Sequence, residues 1–237
     1  MKKSCFLVFI VYFSLADNKS MNKHEWAVTL LKKEYQMPSA DQLKELKDGN
    51  KIIIWVLGGP GSGKGTQCDK IVEKYKYTHI STGDLLRDEV KSGSKRGKAL
   101  QQIMKEGALV PMNVVLALLA EKMISSAKTS NGFLIDGYPR EVIQGEEFEK
   151  HISPCDLVLY MKAKDNTLIT RLLNRAKTSG RSDDNEETIA KRLKTFHDHN
   201  DPIIKAYANK VKEIDSERDP TVIFQDVVAA IEEKRKS

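Results

Sequence analysis

The stretch that most constrains this chain is Ile52-Ile53-Ile54-Trp55-Val56-Leu57, which runs without a break into Gly58-Gly59-Pro60-Gly61-Ser62-Gly63-Lys64-Gly65-Thr66. A continuous β-branched apolar run has no polar face, so it predicts a parallel strand covered on both sides. Glycines directly after such a strand let successive backbone N–H groups turn into one concavity, which suits phosphate oxygens. A helix starting near Lys64 adds its positive end, and the lysine adds a mobile charge. The loop departs from the common template G-x-x-x-x-G-K-[ST], because Gly65 follows the lysine and Thr66 comes one place later. The result is a variant, G-x-P-G-x-G-K-G-T, in which the same physics survives. Gly61, Ser62, Gly63, Lys64, Gly65 and Thr66 are therefore the expected phosphate cradle.

Four further short runs read as strands: Thr78-His79-Ile80, Phe133-Leu134-Ile135, Leu157-Val158-Leu159-Tyr160, and Val211 to Ile214. Helical patterns separate them. Val114 to Met123 is apolar over three turns, and Asp165 is read as the cap of a helix with Leu168, Ile169, Leu172 and Leu173 inward. Asp184 with Glu187 reads as a capping box before a long helix, and Asp219-Pro220 as the cap and first residue of the last one. Strands alternating with helices predict an α/β fold, an open, doubly wound, five-stranded parallel sheet with helices on both faces. The 237 residues fit one domain, and 40% apolar with 30% charged residues excludes collagen, a disordered chain and a multi-span membrane protein.

The first fifty residues stand apart. Lys2 and Lys3 precede an apolar run from Cys5 to Ala16, about twelve residues against the roughly twenty that a bilayer span needs. No stable membrane span is expected. Two readings meet at residues 1–20: a signal-like leader, or an upstream extension of a cytoplasmic chain with Met21 as a second start. Cys5, Cys68 and Cys155 are few, odd in number and far apart, with no C-x-x-C pair. That argues against a disulfide framework and a cysteine-based zinc site, and favours the cytoplasmic reading. Residues 21–50 read as a helical appendage to a domain at 51–237. Within it, the sequence predicts a helix over 22–37 with Trp26, Leu30 and Leu31 on one side. Ser39 and Gln42 then form a capping box before a short helix, Asp41 to Lys47, stopped at Gly49. The net charge of +6 comes from 39 basic and 33 acidic residues interleaved along the chain, with only 7% aromatics. A small polyanion suits that pattern better than a nucleic acid does.

Four more motifs follow the glycine loop in order: Ser81-Thr82-Gly83-Asp84-Leu85-Leu86-Arg87, Asp136-Gly137-Tyr138-Pro139-Arg140-Glu141, Gly180-Arg181-Ser182-Asp183-Asp184-Asn185 and Lys191-Arg192-Leu193. Together they resemble the nucleoside monophosphate kinases, adenylate kinase most closely, over about residues 51–235. The resemblance implies a P-loop three-layer sandwich with a mobile monophosphate-binding region at about 81–111 and a short lid at about 176–185. It implies reversible transfer of the terminal phosphoryl group of ATP to AMP, giving two ADP, with Mg2+, without zinc, and in a monomer.

Two nucleotides meeting phosphate to phosphate crowd one cleft with negative charge. The chemistry then needs a loop lysine and arginines arriving from several segments. Arg87, Arg140, Arg171, Arg175, Arg181 and Arg192 meet that need. On the resemblance, Lys64, Arg140, Arg175, Arg181 and Arg192 are catalytic. Arg171 and Arg175, four apart on one helix, contact ATP, while Arg87, Arg140, Arg181 and Arg192 hold AMP. The AMP pocket is completed by Thr82, Ala108, Leu109, Val110, Gly137, Tyr138, Pro139 and Gln144. The Gln144 amide offers one donor and one acceptor, matching an adenine edge. Thr82 and Tyr138 favour AMP over UMP or CMP. Asp136, at the carboxyl end of a strand, would hold Mg2+ through water. Asp183 and Asp184 hold the lid loop, and Arg218 stands where the family often has a glycine near the ATP base. The alternatives are a UMP/CMP kinase, an AMP sensor without turnover, and a GTPase. The last wants N-K-x-D, where the chain has Asn209-Lys210-Val211-Lys212.

Overall fold

The computed structural model describes residues 22–35, 37–48, 51–181 and 183–236. The leader-like segment, Gly49 and Ser182 lie outside the described residues. Five strands, β1 (Ile52–Gly58), β2 (Thr78–Ser81), β3 (Gly132–Asp136), β4 (Leu157–Lys162) and β5 (Val211–Asp215), form one sheet in the order β2-β3-β1-β4-β5. Every pairing is parallel. The helices are α1 (Lys23–Glu34), α2 (Ala40–Asp48), α3 (Lys64–Tyr75), α4 (Thr82–Lys91), α5 (Lys95–Lys105), α6 (Met112–Ser126), α7 (Val142–His151), α8 (Asp165–Ser179), α9 (Glu186–Ala206) and α10 (Pro220–Lys236).

The pleat of β1 explains the unbroken apolar run. Ile54 and Val56 face one layer, with Cys68 and Ile71 of α3 and Ile223, Val227 and Ile231 of α10. Ile53, Trp55 and Leu57 face the other, with Val114, Ala117 and Met123 of α6, Phe148 of α7 and Tyr207 after α9. β4 alternates in the same way, Leu157, Leu159 and Met161 toward the first layer and Val158 toward the second. Trp55 is fully buried and meets Tyr138, Phe148 and Tyr207 edge-on, at 6.1, 5.5 and 4.9 Å between ring centroids. A side chain of that kind gains about 1.5–3 kcal/mol on leaving water. The expected three-layer α/β sandwich is therefore the observed fold.

Two expected helix caps are replaced by their neighbours. Lys164, not Asp165, is the cap of α8, and Asp165 sits in its first turn with its carboxylate 3.0 Å from His197. Asn185, not Asp184, caps α9, its side chain accepting from the Thr188 N–H. The physical reason is competition: the Asp184 carboxylate is taken by arginines. Asp219 does accept from the Thr221 N–H at 2.7 Å ahead of Pro220. At the other end of the chain, α1 is closed by a reciprocal capping box between Asn22 and Glu25 and ends at Glu34, earlier than expected. The Ser39–Gln42 capping box is present, with bonds of 2.9 and 3.4 Å. Ala27 and Leu31 of α1 and Leu43 and Leu46 of α2 are buried in the same cluster as Trp55 and α6, and α1 lies along α5.

Candidate active site

β1 is flanked by β3 and β4, so the chain passes to opposite sides of it. The carboxyl end of such a strand opens a crevice where open α/β sheets bind ligands. The glycine loop turns there. Gly58 has φ +139°, and a Cβ on it would collide with the Met161 carbonyl oxygen. Gly61 has φ +83°, and a Cβ would lie 2.8 Å from the Leu168 carbonyl oxygen. Only glycine lets the loop lie this close to β4 and α8. Gly63 then caps α3 in the left-handed conformation, and Lys64 is its first residue.

A cleft of about 730 Å³ opens over this loop. The loop contributes Gly61, Ser62, Gly63, Lys64, Gly65 and Thr66 to its lining, while α4 and the turn before α6 contribute Thr82, Arg87, Ala108 and Val110. Asp136, Gly137, Pro139 and Arg140 come from the end of β3, Arg171 and Arg175 from α8, Arg181 and Asp183 from the lid loop, and Arg192 from α9. The sequence-predicted arginines and the loop lysine therefore converge on one space. Leu109, Tyr138 and Gln144 do not line it. They surround a small side pocket of about 20 Å³ beside Thr82, Val110, Gly137 and Arg140.

The interior of the cleft is cationic, and burial sharpens this. Lys64 Nζ donates to the carbonyls of Gly58 and Gly59 at 2.8 and 2.9 Å. Burial pushes its pKa down to about 8, against the pull of Asp136, with Arg140 and Arg192 adding to the fall. Arg140 is lowered to about 10, by burial first and then by Arg192. Burial also lowers Arg181 and Arg192.

Three aspartates hold the arginines in place. Arg175 forks onto Asp184, with Nε and Nη2 donating at 2.7 and 2.8 Å, and this bond raises its pKa. Arg192 Nη1 reaches Asp184 at 3.1 Å and Asp183 at 2.8 Å. Burial would raise the Asp184 pKa, but the bond and charge of Arg175, with Arg192 behind it, bring it below the usual range. Asp84 accepts from Arg87 at 2.6 Å and from Arg181 at 3.3 Å, so it joins α4 to the lid loop. Arg171 donates to the Ser216 carbonyl at 3.0 Å. Arg218 donates to the Asp215 carbonyl and to the Asp226 carboxylate while lining the cleft's edge.

Other expected residues serve the frame of the site in this structure. Thr82 Oγ1 lies 3.1 and 3.2 Å from the carbonyls of Asp136 and Gly137, tying α4 to the end of β3. Gln144 is buried, its Oε1 accepting from the Arg140 N–H at 3.0 Å and its Nε2 donating to Glu141 at 3.1 Å. Tyr138 is fully buried and donates from its hydroxyl to the Gln144 carbonyl at 2.5 Å.

Sequence reasoning missed a stripe of α9. Thr195, Phe196, His199, Asn200 and Ile203 line the cleft together with Arg192. Their spacing from Arg192 is that of one helical face, so the signal was present once Arg192 was aimed inward. Asp84 was also missed as a clasp, although it lies inside a quoted motif. As to a metal, Asp136 offers one carboxylate at the cleft, set by β3 pairing with Val56 of β1 and Ser81 of β2. Mg2+ is commonly held by one or two carboxylates, several waters and substrate phosphates, so this donor set fits it. Among the described residues, no helix is long and apolar enough to cross a membrane.

The adenylate kinase family profile matches residues 56–212. The chain is 55% identical to adenylate kinase isoenzyme 1 of Gallus gallus over 196 residues, 82% of this chain and 98% of the relative. It is 56% identical to adenylate kinase isoenzyme 1 of Cyprinus carpio over the same 82% and 98%. Against adenylate kinase isoenzyme 1 of Homo sapiens it is 54% identical over 189 residues, 79% of this chain and 95% of the relative. The profile spans the glycine loop, Asp136 and every arginine of the cleft except Arg218, and the chain belongs to the adenylate kinase family.

Proposed function

We propose that the cleft transfers the terminal phosphoryl group of ATP reversibly to AMP, giving two ADP. The triphosphate lies on the loop between β1 and α3, and the monophosphate lies against the 81–111 region. The observation that carries this reading is the convergence of Lys64, Arg87, Arg140, Arg175, Arg181 and Arg192 on one cleft beside Asp136. Phosphoryl transfer is mostly positioning and neutralisation of charge, and this cleft provides both. Loop N–H groups and Lys64 hold the β and γ phosphates. Arg175, with Arg171 behind it, holds the triphosphate from the lid side. Arg87 and Arg140 grip the acceptor phosphate, and Arg181 and Arg192 close on the phosphoryl group in flight.

Asp136 would hold Mg2+ through water, and the ion would supply charge neutralisation for the nucleotide phosphates. The acceptor oxygen is already anionic, so no general base is needed. Asp183 and Asp184 aim the arginines and take no proton. Ala108, Leu109, Val110, Gly137, Tyr138, Pro139 and Gln144 shape the acceptor pocket. The adenine-reading role of Gln144 requires its bond to Glu141 to open when AMP enters. Closure of the short lid and the 81–111 region over both nucleotides excludes water and so suppresses ATP hydrolysis. A cytoplasmic monomer is the setting we propose; Cys68 and Cys155, standing as free buried thiols, support the reducing compartment.

The test is a phosphoryl-transfer assay with Mg·ATP and AMP, UMP, CMP or GMP in separate reactions, the products resolved by chromatography. Fast ADP formation with AMP alone is the expected result. Comparable UDP or CDP formation moves the protein to pyrimidine substrates, and ATP binding without product makes it a sensor.

A further inference from the structure

We propose that Cys68, His79 and Asp136 form a binding site for Zn2+, at which the ion takes Asp136 away from nucleotide-bound Mg2+ and inhibits the enzyme. Cys68 lies on α3, His79 on β2 and Asp136 at the end of β3. No pair of them is close in sequence, so the absence of a C-x-x-C pair, on which the sequence reading expected no cysteine-based zinc site, does not bear on a site that the fold assembles. The β2–β3 register sets His79 opposite Leu134, whose neighbour two places on is Asp136, and Leu134 packs in the same layer as Cys68. One ligand atom from each of the three residues lies within 4.8 Å of the others.

The imidazole supplies a second, independent sign. His79 Nε2 is buried and has no hydrogen-bond partner, while it stands 3.5 Å from Asp136 Oδ2. Buried polar nitrogens are nearly always partnered, so an orphan aimed at a carboxylate marks a place for a cation. With Zn–N and Zn–O bonds near 2.0–2.1 Å, a tetrahedral site separates N from O by about 3.3 Å, close to the observed spacing. A modest approach by the Cys68 sulfur completes three ligands.

The donor types choose the metal. Thiolate and imidazole suit Zn2+, whereas Mg2+ demands oxygens. His79 and Asp136 line the cleft, so the ion enters from that side, and water takes the fourth position. On binding, the Cys68 S–H bond breaks, the proton passes to the buffer and a Zn–S bond forms. The metal site does not depend on the proposed phosphotransfer, but its inhibitory consequence does.

The full-length chain would be titrated with Co2+ as a spectroscopic stand-in and then with Zn2+. The expected result is one equivalent of tetrahedral Co2+ with a near-ultraviolet thiolate charge-transfer band, displaced by Zn2+. The band disappears in Cys68→Ala, and His79→Gln weakens Zn2+ binding by at least about tenfold. Cys5 and Cys155 remain in every protein and so cancel. An absent band in the wild type, or an unchanged band in Cys68→Ala, overturns the proposal. If Cys68→Ala does not fold, His79→Gln, at a partly exposed position, decides alone. In activity assays at saturating Mg·ATP, Zn2+ should inhibit the wild type and lose at least about tenfold potency against both variants. Binding without inhibition overturns the competition for Asp136. Absence of turnover in zinc-free wild type would instead count against the proposed reaction and leave the Co2+ result standing.

Discussion

Lys64 carries a proton that the empty cleft holds weakly. Its pKa falls from 10.5 to about 8 because burial strips water from the ammonium group. Bound phosphates favour the charged form, so ATP affinity should be flat below pH 8. Above that it should weaken, approaching about tenfold per pH unit. Calorimetric titrations from neutral to alkaline pH check this, and Lys64→Met should abolish the slope and lower kcat by about 10²–10³. The folding linkage has the opposite outcome. The unfolded chain keeps the Lys64 proton to higher pH than the folded one, so this group makes the empty protein more stable as pH rises from 8 toward 10.5. Asp184 offers a second test. Its side chain is fully buried while Arg175 is 34% exposed, so Asp184→Asn should cost about 2–3 kcal/mol, less than a fully enclosed pair. Chemical denaturation measures it, and lid arginines left without their clamp should raise KM for both nucleotides. At this scale, the glycine loop and the arginines were legible because each motif is local and its chemistry follows from residue type. Asp184 was legible as a holder of the lid loop but was also read as the cap of α9, because three consecutive polar residues before that helix compete for the cap and only backbone geometry chooses Asn185. Gln144 and Tyr138 were legible as neighbours of the acceptor pocket, but their hydrogen bonds to Arg140, Glu141 and each other depend on a turn that pattern alone does not draw.

At the level of elements, α1 is held to α5 and α6 by more than its apolar stripe. His24 Nδ1 is 2.7 Å from Glu106, Arg96 stacks over Tyr35 at 4.9 Å, and Asn113 Nδ2 donates to the Tyr35 carbonyl at 3.3 Å. These contacts tie the N-terminal helix both to the 81–111 region and to the central layer. Leu31→Ala should therefore destabilise the protein by about 2–4 kcal/mol in urea denaturation, while His24→Ala, at an exposed pair, should move the midpoint little. An unchanged midpoint for Leu31→Ala would mean that α1 contributes nothing to the folded core. The helix itself was legible, and its docking was not. A stripe resting on Ala27 and Leu31 is too narrow to announce its partner, and the capping box of Asn22 and Glu25 fixes only where α1 begins. The stripe of α9 through Thr195, Phe196 and Asn200 shows the converse: once one residue of a helix is aimed, periodicity aims the rest.

For the whole molecule, the unbroken apolar runs of β1, β3 and β4 predicted central strands because a parallel strand buried on both faces needs such a run, while β2 and β5, the two edge strands, mix apolar with polar residues. Their order, β2-β3-β1-β4-β5, could not be read, since a run that is apolar on both sides says nothing about its neighbours. That order sets Asp136 at the end of β3, Gly58 at the end of β1 and Met161 near the end of β4 side by side, and so locates the cleft. The two regions proposed to close over it already touch through Asp84 and Arg181 at 3.3 Å. Small-angle scattering with a bisubstrate analogue should show compaction, and an unchanged profile would remove closure from the mechanism. The same contacts have another consequence. Asp84, Asp183 and Asp184 act as counter-ions built into the chain, so the empty arginines need few mobile anions from the buffer. ATP binding should therefore release little of an ionic atmosphere, and its affinity should fall only gently as ionic strength rises. Asp84→Asn strips one of these tethered anions from Arg87 and Arg181, and should leave an enzyme that binds more tightly in dilute buffer but is far more sensitive to added potassium chloride.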